Sequence, residues 1–588
     1  MRVAVSQFAT TANVQENLAS CIRMINEASA CNPSLIVLPE YCNTLFNNKL
    51  PSTDDNLTCD TSDCYIDNEQ AWNEALSING PFLQRIAEEA KKQHCYIVIN
   101  VTLQREHKDF FSGETLDNTD KPNISVTSCL FSPLGQLIHQ EDKRILTGYE
   151  NKFFTPADKK TEVISTPLGK LGFLTGYDSM TFDVARSLAL QGAQLLCNSI
   201  NTCSLDQCGL HDHARACENN VFIACANKAG QSQILSPDGK VLAKLTNNKA
   251  GYTFADINLD TPDNKIGLSH KFRPDGTALI KQRRPTLYQA LATAIKSSYN
   301  EKKIQSEFVP ETVNLAIFST YKSNEQAIED VCHYIDNNLS DIIQLPELFF
   351  IADKKITHES MQLDEVENLS QQVITQVSAV LRPFQYVCTD LVIDGEHQAV
   401  LISKQGLLAK QPQLHFCQRY QWSPLGNDLT RVNIPLEQGS IDVVMLTADD
   451  ANIPEMVKLA ALKNIHLLLV PFDIQEPYEV EYGLLSRAAE HRICILAASR
   501  EKSFTHSFSS HQQTAAHQTN KIKAQKSTGL IANLPKEFPL FSQIKTTKFN
   551  GYINYPLVKY QHGKITKAII YPDAADNKLN LPLIYTLF

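Results

Sequence analysis

The stretch LGFLTGYDSM, residues 171–180, predicts a buried strand that runs directly into a turn. Apolar residues at helical spacing follow it, so a helix is expected after the turn. Many hydrolases mount a catalytic nucleophile on a strand-to-helix elbow of this kind. Here the elbow reads Gly176-Tyr177-Asp178, and glycine has no side chain that could attack a substrate. The sequence therefore raises the question of what such an elbow does without a nucleophile.

The size and composition of the chain indicate a globular protein of more than one domain. Its 588 residues are too many for a single hydrophobic core, and 43% are hydrophobic and 20% charged. The net charge of −10 argues against binding nucleic acid or a membrane surface through bulk electrostatics. The N-terminus lacks the pattern of a signal peptide, and no apolar run approaches the ~18 residues of a membrane span. A cytoplasmic location with reduced cysteines is therefore expected.

Two short motifs invite a metal-binding interpretation. Cys59 and Cys64 lie in an acidic loop with no second pair at zinc-ribbon spacing. His211-Asp212-His213 precedes Arg215 on a predicted helix, which favours surface and capping roles. No metal and no cofactor is therefore expected.

The chain repeats itself over about half its length. The segment SLIVLPEYCNTLF, 34–46, is similar to DIIQLPELFFIAD, 341–353. The elbow recurs as well, since Gly176 aligns with Ala448. The separation of these two residues along the chain equals that between RACENNVFIACANK and RAAEHRICILAASR. Two landmarks at one offset indicate an internal repeat rather than coincidence.

The repeat predicts two domains of one fold class. The first spans residues 1–289 and the second 311–588, and the charged, polar segment 290–310 is the predicted linker. Each unit begins with a short apolar strand followed by a helical stretch. In the first unit, Pro81 opens a predicted helix, and strands are predicted at 95–103 and within 125–138. The fold class is therefore α/β.

Three features of the first unit follow predicted strands. Glu40 ends the sequence Leu-Pro-Glu, Lys143 lies in HQEDKRILTGYE, and Gly176 ends the strand quoted above. Together with RSLALQGAQLL, RACENNVFIACANKAG, SPDGKVLA and RRPTLY, they make the first unit resemble the nitrilase (carbon–nitrogen hydrolase) superfamily, whose catalytic triad is Glu-Lys-Cys. The resemblance covers nearly all of the first unit and continues more weakly through the second.

The resemblance implies a fold and a set of roles. Each unit is expected to be a four-layer α-β-β-α sandwich. Glu40 matches the catalytic base, Lys143 the stabiliser of the developing negative charge, and Glu150 a second glutamate that many members carry. The position of the nucleophilic cysteine falls on Gly176 and is vacant. The residue types of this triad suit amide hydrolysis. Attack on an amide needs a thiolate nucleophile, a nearby carboxylate to move protons and a cation to stabilise the oxyanion.

In the second unit the resemblance keeps one of the three catalytic groups. Glu347 stands at the base position. The lysine position falls on Gln413 or Leu414, depending on a one-residue gap, and the cysteine position on Ala448. The second unit is therefore interpreted as non-catalytic.

The resemblance also implies which residues surround the pocket. The expected lining residues are Tyr149, Tyr177, Asp178, Asn201 and Cys203. Cys203 and Cys42 could replace the missing nucleophile, although most such cysteines are inert packing residues.

Two functional hypotheses follow. The first is a tandem pseudoenzyme that binds a small amide-like or carboxylate ligand, or that serves as an assembly or regulatory subunit. The second is an active amidohydrolase that uses a non-standard nucleophile or an activated water. The expected partners are that ligand and the second unit, packed on the first as an intrachain pseudo-dimer, with further homo-oligomerisation left open. Neither nucleic acid nor a membrane is expected as a partner.

Overall fold

A computed structural model describes most of the chain, at residues 1–46, 67–105, 123–202, 207–228, 230–245, 249–259, 279–291, 309–310, 312–320, 322–351, 360–416, 420–475, 479–491, 493–504, 525–532 and 565–569. The chain forms two compact units, Met1–Lys271 and Phe272–Asn580. The RRPTLY segment makes hydrogen bonds within the second unit. Arg284 Nη1, for example, donates to the carbonyl oxygens of Leu414 at 2.5 Å and Gly426 at 2.8 Å.

The first unit contains two six-stranded sheets. Its strands, numbered along the chain, are β1 (Arg2–Gln7), β2 (Leu35–Val37), β3 (Tyr96–Gln104), β4 (Ile124–Phe131), β5 (Leu137–Asp142), β6 (Ile164–Thr166), β7 (Gly169–Thr175), β8 (Leu195–Ile200), β9 (Phe222–Asn227), β10 (Gln233–Leu235), β11 (Val241–Lys244) and β12 (Gly251–Asp256). One sheet has the order β12-β1-β2-β3-β4-β5 and the other β11-β10-β9-β8-β7-β6. Strands β1, β2 and β3 run parallel, as do β7, β8 and β9.

Helices cover the outer faces of these two sheets. The described α-helices of the first unit are α1 (Val14–Ser29), α2 (Asn68–Glu74), α3 (Pro81–Gln93), α4 (Glu150–Phe153), α5 (Phe182–Leu190) and α6 (Asp212–Asn219). Helices α1 and α3 pack on the first sheet, and α5 and α6 contact β7 and β9 of the second. The predicted helix at Pro81, the helix after the elbow and the strands at 95–103 and 125–138 are confirmed.

The central strands are buried on both faces, which explains their continuous apolar sequences. In β1, Val3 and Val5 face the opposite sheet, whereas Ala4 between them faces the helices. In β3, Val98 packs between the sheets and Ile97 packs against the helices. The alternation of strand side chains thus builds two cores, one between the sheets and one beneath α1 and α3.

The second unit has a similar succession of strands and helices. Its strands are β13 (Thr312–Ile317), β14 (Ile342–Gln344), β15 (Tyr386–Ile393), β16 (Glu396–Ser403), β17 (Gly406–Pro412), β18 (Arg431–Leu436), β19 (Gly439–Met445), β20 (Leu467–Pro471), β21 (Cys494–Phe504), β22 (Gln525–Ala532) and β23 (Ile565–Ile569). Its described α-helices are α7 (Glu325–Asn337), α8 (Ser360–Val380), α9 (Ala448–Ala451), α10 (Pro454–Leu462) and α11 (Leu484–His491). The sheet β17-β16-β15-β14-β13-β23 has the strand order of the first unit's first sheet. Across the described residues, no helix combines the length and apolar character needed to cross a membrane.

The core between the sheets is expected to set the stability of the first unit. Leu195 in β8 is fully buried in this core, whereas Leu134 is 70% exposed. Leu195→Ala should lower the free energy of unfolding by about 2–5 kcal/mol through lost burial and a cavity. Leu134→Ala should change it by less than about 0.5 kcal/mol.

Urea unfolding followed by Trp72 fluorescence in a Trp422→Phe background checks this expectation, because these are the two tryptophans of the chain and the second unit carries Trp422. Equal losses in the two alanine variants would show that the face between the sheets is not the core of this unit.

Candidate active site

Glu40 is held at the carboxyl end of β2 by the turn that follows it. Its side chain is 3% exposed. The next residue, Tyr41, adopts the left-handed conformation with φ 56°, and its N–H donates to Asn100 Oδ1 at 3.1 Å. The Asn100 amide also donates to Ser128 Oγ at 3.1 Å and Thr175 Oγ1 at 3.3 Å. One buried asparagine in β3 therefore ties the turn at Glu40 to β4 and to the end of β7.

Lys143 follows β5 and connects two carboxylates. Its N–H donates to the carbonyl oxygen of Val126 at 2.7 Å, which fixes the backbone beside β4. Its ammonium donates to Glu40 Oε1 at 2.8 Å and also to Glu150 Oε1. Glu150 accepts a further hydrogen bond from the Tyr41 hydroxyl. Both glutamates and the lysine are at most 3% exposed, so they form a buried ionic centre.

Gly176 stands directly against this centre, at the end of β7. A Cβ atom built on Gly176 would lie 2.7 Å from Lys143 Nζ and 2.8 and 3.0 Å from the two carboxylate oxygens of Glu40. The residue has φ +52°, a conformation that glycine adopts far more readily than other residues. Position 176 therefore faces both the cation and the carboxylate, and it carries no side chain of its own.

Asp178 holds the segment that carries Lys143. Its carboxylate accepts hydrogen bonds from the backbone N–H groups of Ile145 at 2.9 Å and Arg144 at 3.2 Å. Both Asp178 and its neighbour Tyr177 are buried. Asp178, two residues after Gly176, thus fixes the backbone that follows β5.

The other predicted lining residues lie beside the loop that follows Glu40. Tyr149 is half-buried and packs against an aromatic cluster that includes Tyr41 and Phe46. The Asn201 amide donates to the carbonyl oxygen of Phe46 at 3.1 Å. Cys203 lies outside the described residues, and so do Cys59 and Cys64.

Sequence reasoning missed Tyr41, Asn100 and Lys228. Lys228 Nζ donates to the carbonyl oxygen of Thr44 at 2.8 Å and lies 5.9 Å from the centroid of the Tyr41 ring. A signal for Asn100 was present, because it is a carboxamide in the middle of the apolar strand CYIVINVTL. A buried amide requires partners, so such a residue indicates a polar network.

Cys42, the alternative nucleophile, lies in the interior of the first unit. Cys42 is fully buried, and its thiol donates to the carbonyl oxygen of Pro39 at 3.1 Å. The surface interpretation of His211-Asp212-His213 is wrong. All three residues are buried, because α6 is covered along its whole length, and Asp212 accepts a hydrogen bond from Asn198 at 2.9 Å.

The sequence profile of the carbon-nitrogen hydrolase family matches residues 2–263, which contain the whole of this centre. The chain therefore contains a carbon-nitrogen hydrolase domain. The chloroplastic omega-amidase of Arabidopsis thaliana is 24% identical over 310 residues, covering 49% of this chain and 73% of that protein. The N-carbamoylputrescine amidase of Solanum tuberosum is 25% identical over 320 residues, covering 50% of this chain and 94% of that protein. An amidase from Nesterenkonia sp. of known structure is 20% identical with a TM-score of 0.36, covering 49% of this chain and 95% of that chain.

Burial and charge shift the titration of the centre of the carbon-nitrogen hydrolase domain. Burial raises the pKa of Glu40 from its ordinary 4.5 to about 7, with Glu150 adding to the rise and Lys143 opposing it. Burial alone would lower the pKa of Lys143, but the carboxylates of Glu150 and Glu40 outweigh it and raise the pKa above its ordinary value. Burial likewise raises the pKa of Asp178 to about 6. Near neutral pH the lysine stays charged while Glu40 exchanges its proton.

Two backbone contacts in the second unit parallel those made by Lys143 and its neighbour in the first. Gln413 N–H donates to the carbonyl oxygen of His397 at 3.1 Å, as Lys143 N–H donates to that of Val126. Leu414 N–H donates to Asp450 at 2.9 Å, as Arg144 N–H donates to Asp178. These parallel contacts favour Gln413 over Leu414 at the lysine position.

The titration of Glu40 gives a direct prediction. Its carboxyl should be protonated below and ionised above a midpoint near pH 7. Glu150→Gln should lower that midpoint, because it removes a negative charge that disfavours ionisation. Infrared difference spectra of the full chain should show a protonated carboxyl band that disappears through this midpoint and is missing in Glu40→Gln. A midpoint near 4.5 would contradict the buried placement of Glu40.

Proposed function

We propose that the first unit binds a small amide, or the matching carboxylate, beside Lys143 without forming a covalent acyl-enzyme. The observation that carries the proposal is Gly176. A side chain at this position would touch both Lys143 Nζ and the Glu40 carboxylate, so position 176 is where a nucleophile would stand. Without one, the chain lacks the group that covalent catalysis requires at that position.

The remaining groups suit recognition of a carbonyl. The Lys143 ammonium is a buried donor for a carbonyl or carboxylate oxygen, and its interaction is strong because water is excluded. With Glu40 ionised, the two carboxylates outnumber the ammonium, which favours a neutral amide. With Glu40 protonated, the charges of Glu150 and Lys143 cancel, so a carboxylate ligand is less strongly repelled. The proposal therefore includes a pH-dependent choice between the two ligand classes.

Similarity to known proteins supports the amide class. Proteins named as amidases are similar to half of the chain, and residues 2–263 match the family profile. The second unit shares strand order with the first but carries Gln413 and Ala448 at the corresponding places. We therefore regard it as a degenerate tandem copy.

A second candidate is hydrolysis of the bound amide by water. The pKa of Glu40, about 7, favours it, because a general base works best when its pKa lies near the operating pH. This activity would release ammonia, would increase as Glu40 loses its proton and would disappear in Glu40→Gln. Binding without hydrolysis would release none at any pH.

Ligand binding can be tested with propionamide and propionate, which differ only at the carbonyl substituent. Calorimetry on the full chain should detect both, and the affinity for propionate should rise as the pH falls through 7. Gly176→Ala should weaken the binding of either by about tenfold or more, because its methyl group would come within 2.7 Å of Lys143 Nζ and displace the ammonium.

Gly395→Ala is the matched control, since Gly395 also has a positive φ, +71°, and nothing lies within 4 Å of its added Cβ. Absence of binding to the wild-type chain, or equal weakening in both variants, would contradict the proposed site.

A thiol placed at position 176 should become reactive. In Gly176→Cys, the neighbouring Lys143 ammonium stabilises a thiolate. The side chains of Lys143 and Glu40 must first move by several tenths of an ångström to admit the new side chain. Alkylation by iodoacetamide, followed by peptide mass spectrometry, should be about tenfold faster or more at this position than in Ala448→Cys, which faces no lysine at the corresponding place. Equal rates in the two variants would show that position 176 does not face the ionic centre.

A further inference from the structure

Three ionisable side chains of the second unit converge where the first unit has its buried lysine. They are Glu347, Asp390 and His397, each at most 5% exposed. His397 Nε2 lies 3.2 Å from Asp390 Oδ2 and 3.6 Å from Glu347 Oε1. One imidazole nitrogen and two carboxylate oxygens are thus within 4.8 Å of one another.

The sheet brings these groups together. Residue Val392 of β15 is paired with His397 of β16, so Asp390, two residues before Val392, projects from the same face as a diagonal neighbour of His397. Glu347 follows β14, which runs parallel to β15. His397 occupies the place that Val126 has in the first unit. Compared with the first unit, the second unit therefore has His397 in place of Val126 and Gln413 in place of Lys143.

Gln413 fixes the tautomer of His397. The Gln413 amide nitrogen donates to the carbonyl oxygen of His415 at 2.6 Å, so its oxygen faces His397 Nδ1 at 2.8 Å. An amide oxygen only accepts, hence Nδ1 carries the proton. The lone pair of Nε2 then points at two carboxylates. This nitrogen is buried and lies 3.2 Å from Asp390 Oδ2, so either a second proton or a cation must lie between it and the carboxylates.

We propose that His397 Nε2, Asp390 and Glu347 bind a divalent cation of the Mn²⁺, Fe²⁺ or Zn²⁺ class. Metal bonds of about 2.1 Å at angles of 90–109° place neighbouring ligand atoms about 3.0–3.4 Å apart, close to the two separations observed. Nitrogen and carboxylate donors together suit these ions. Gln413 supplies the second-shell hydrogen bond that orients a histidine ligand. Three protein ligands leave coordination positions for water or a small carbonyl or carboxylate ligand.

The competing occupant is a second proton on His397, which would give an imidazolium paired with carboxylates and no metal. Mn²⁺ distinguishes the two, because the thiols of this cysteine-rich chain bind it poorly. Titration of the metal-free full chain with Mn²⁺, followed by electron paramagnetic resonance, should show one site per chain. Its pulsed spectrum should contain coupling to a single imidazole nitrogen.

His397→Gln should remove the nitrogen coupling and weaken binding by about tenfold or more. Asp390→Asn, which preserves volume, should weaken binding while the nitrogen coupling remains. His333→Gln is the matched control, because His333 is exposed on α7, and it should change neither. Should His397→Gln fail to fold, Asp390→Asn and the wild-type nitrogen coupling decide the question. Absence of Mn²⁺ binding, absence of nitrogen coupling or unchanged binding in Asp390→Asn would each overturn the proposal.

Discussion

The ion pairs of Lys143 with Glu40 and Glu150 are the constraint on which the site of the first unit depends. Three charged groups buried together are tolerable only while each keeps its partners, because an unpaired charge in the interior is strongly destabilising. Neighbouring residues hold these three side chains in place through hydrogen bonds. Asn100 fixes the turn after Glu40, Asp178 fixes the backbone after Lys143, and the Tyr41 hydroxyl satisfies Glu150. Removing any of these three supports would loosen the geometry of the charges.

Gly176 determines what the paired charges can do. The same pocket with a thiol at this position would have a nucleophile, a base and a cation in mutual contact. With glycine, the left-handed backbone is free of side-chain strain, and Lys143 and Glu40 lie directly against the elbow. Glycine itself offers no nucleophile at this position, which is why we propose binding without a covalent intermediate at the elbow.

Much of this arrangement could be predicted from the sequence. Strand periodicity and the Leu-Pro-Glu and elbow motifs placed Glu40 and Gly176 at strand ends, where residues of neighbouring strands meet. The hydroxyl of Tyr41 and the amide of Asn100 could not be assigned partners, because their contacts join residues far apart in the chain. The burial of His211-Asp212-His213 was missed, since a short polar run gives no sign that a helix is covered on all sides. The choice of Gln413 over Leu414 needed the strand register, which a one-residue gap conceals.

The two units share a strand order but differ in the charged side chains at corresponding positions. The first balances two glutamates with a lysine, and the second sets an imidazole among carboxylates. The lack of a side chain at Gly176 predicts that no acyl group becomes attached to the chain. Intact-mass analysis of the wild-type chain, acid-quenched at intervals during incubation with propionamide, tests it most directly. The account predicts the unmodified mass at every time point. An added propionyl group on any residue, for example Cys42, would contradict it.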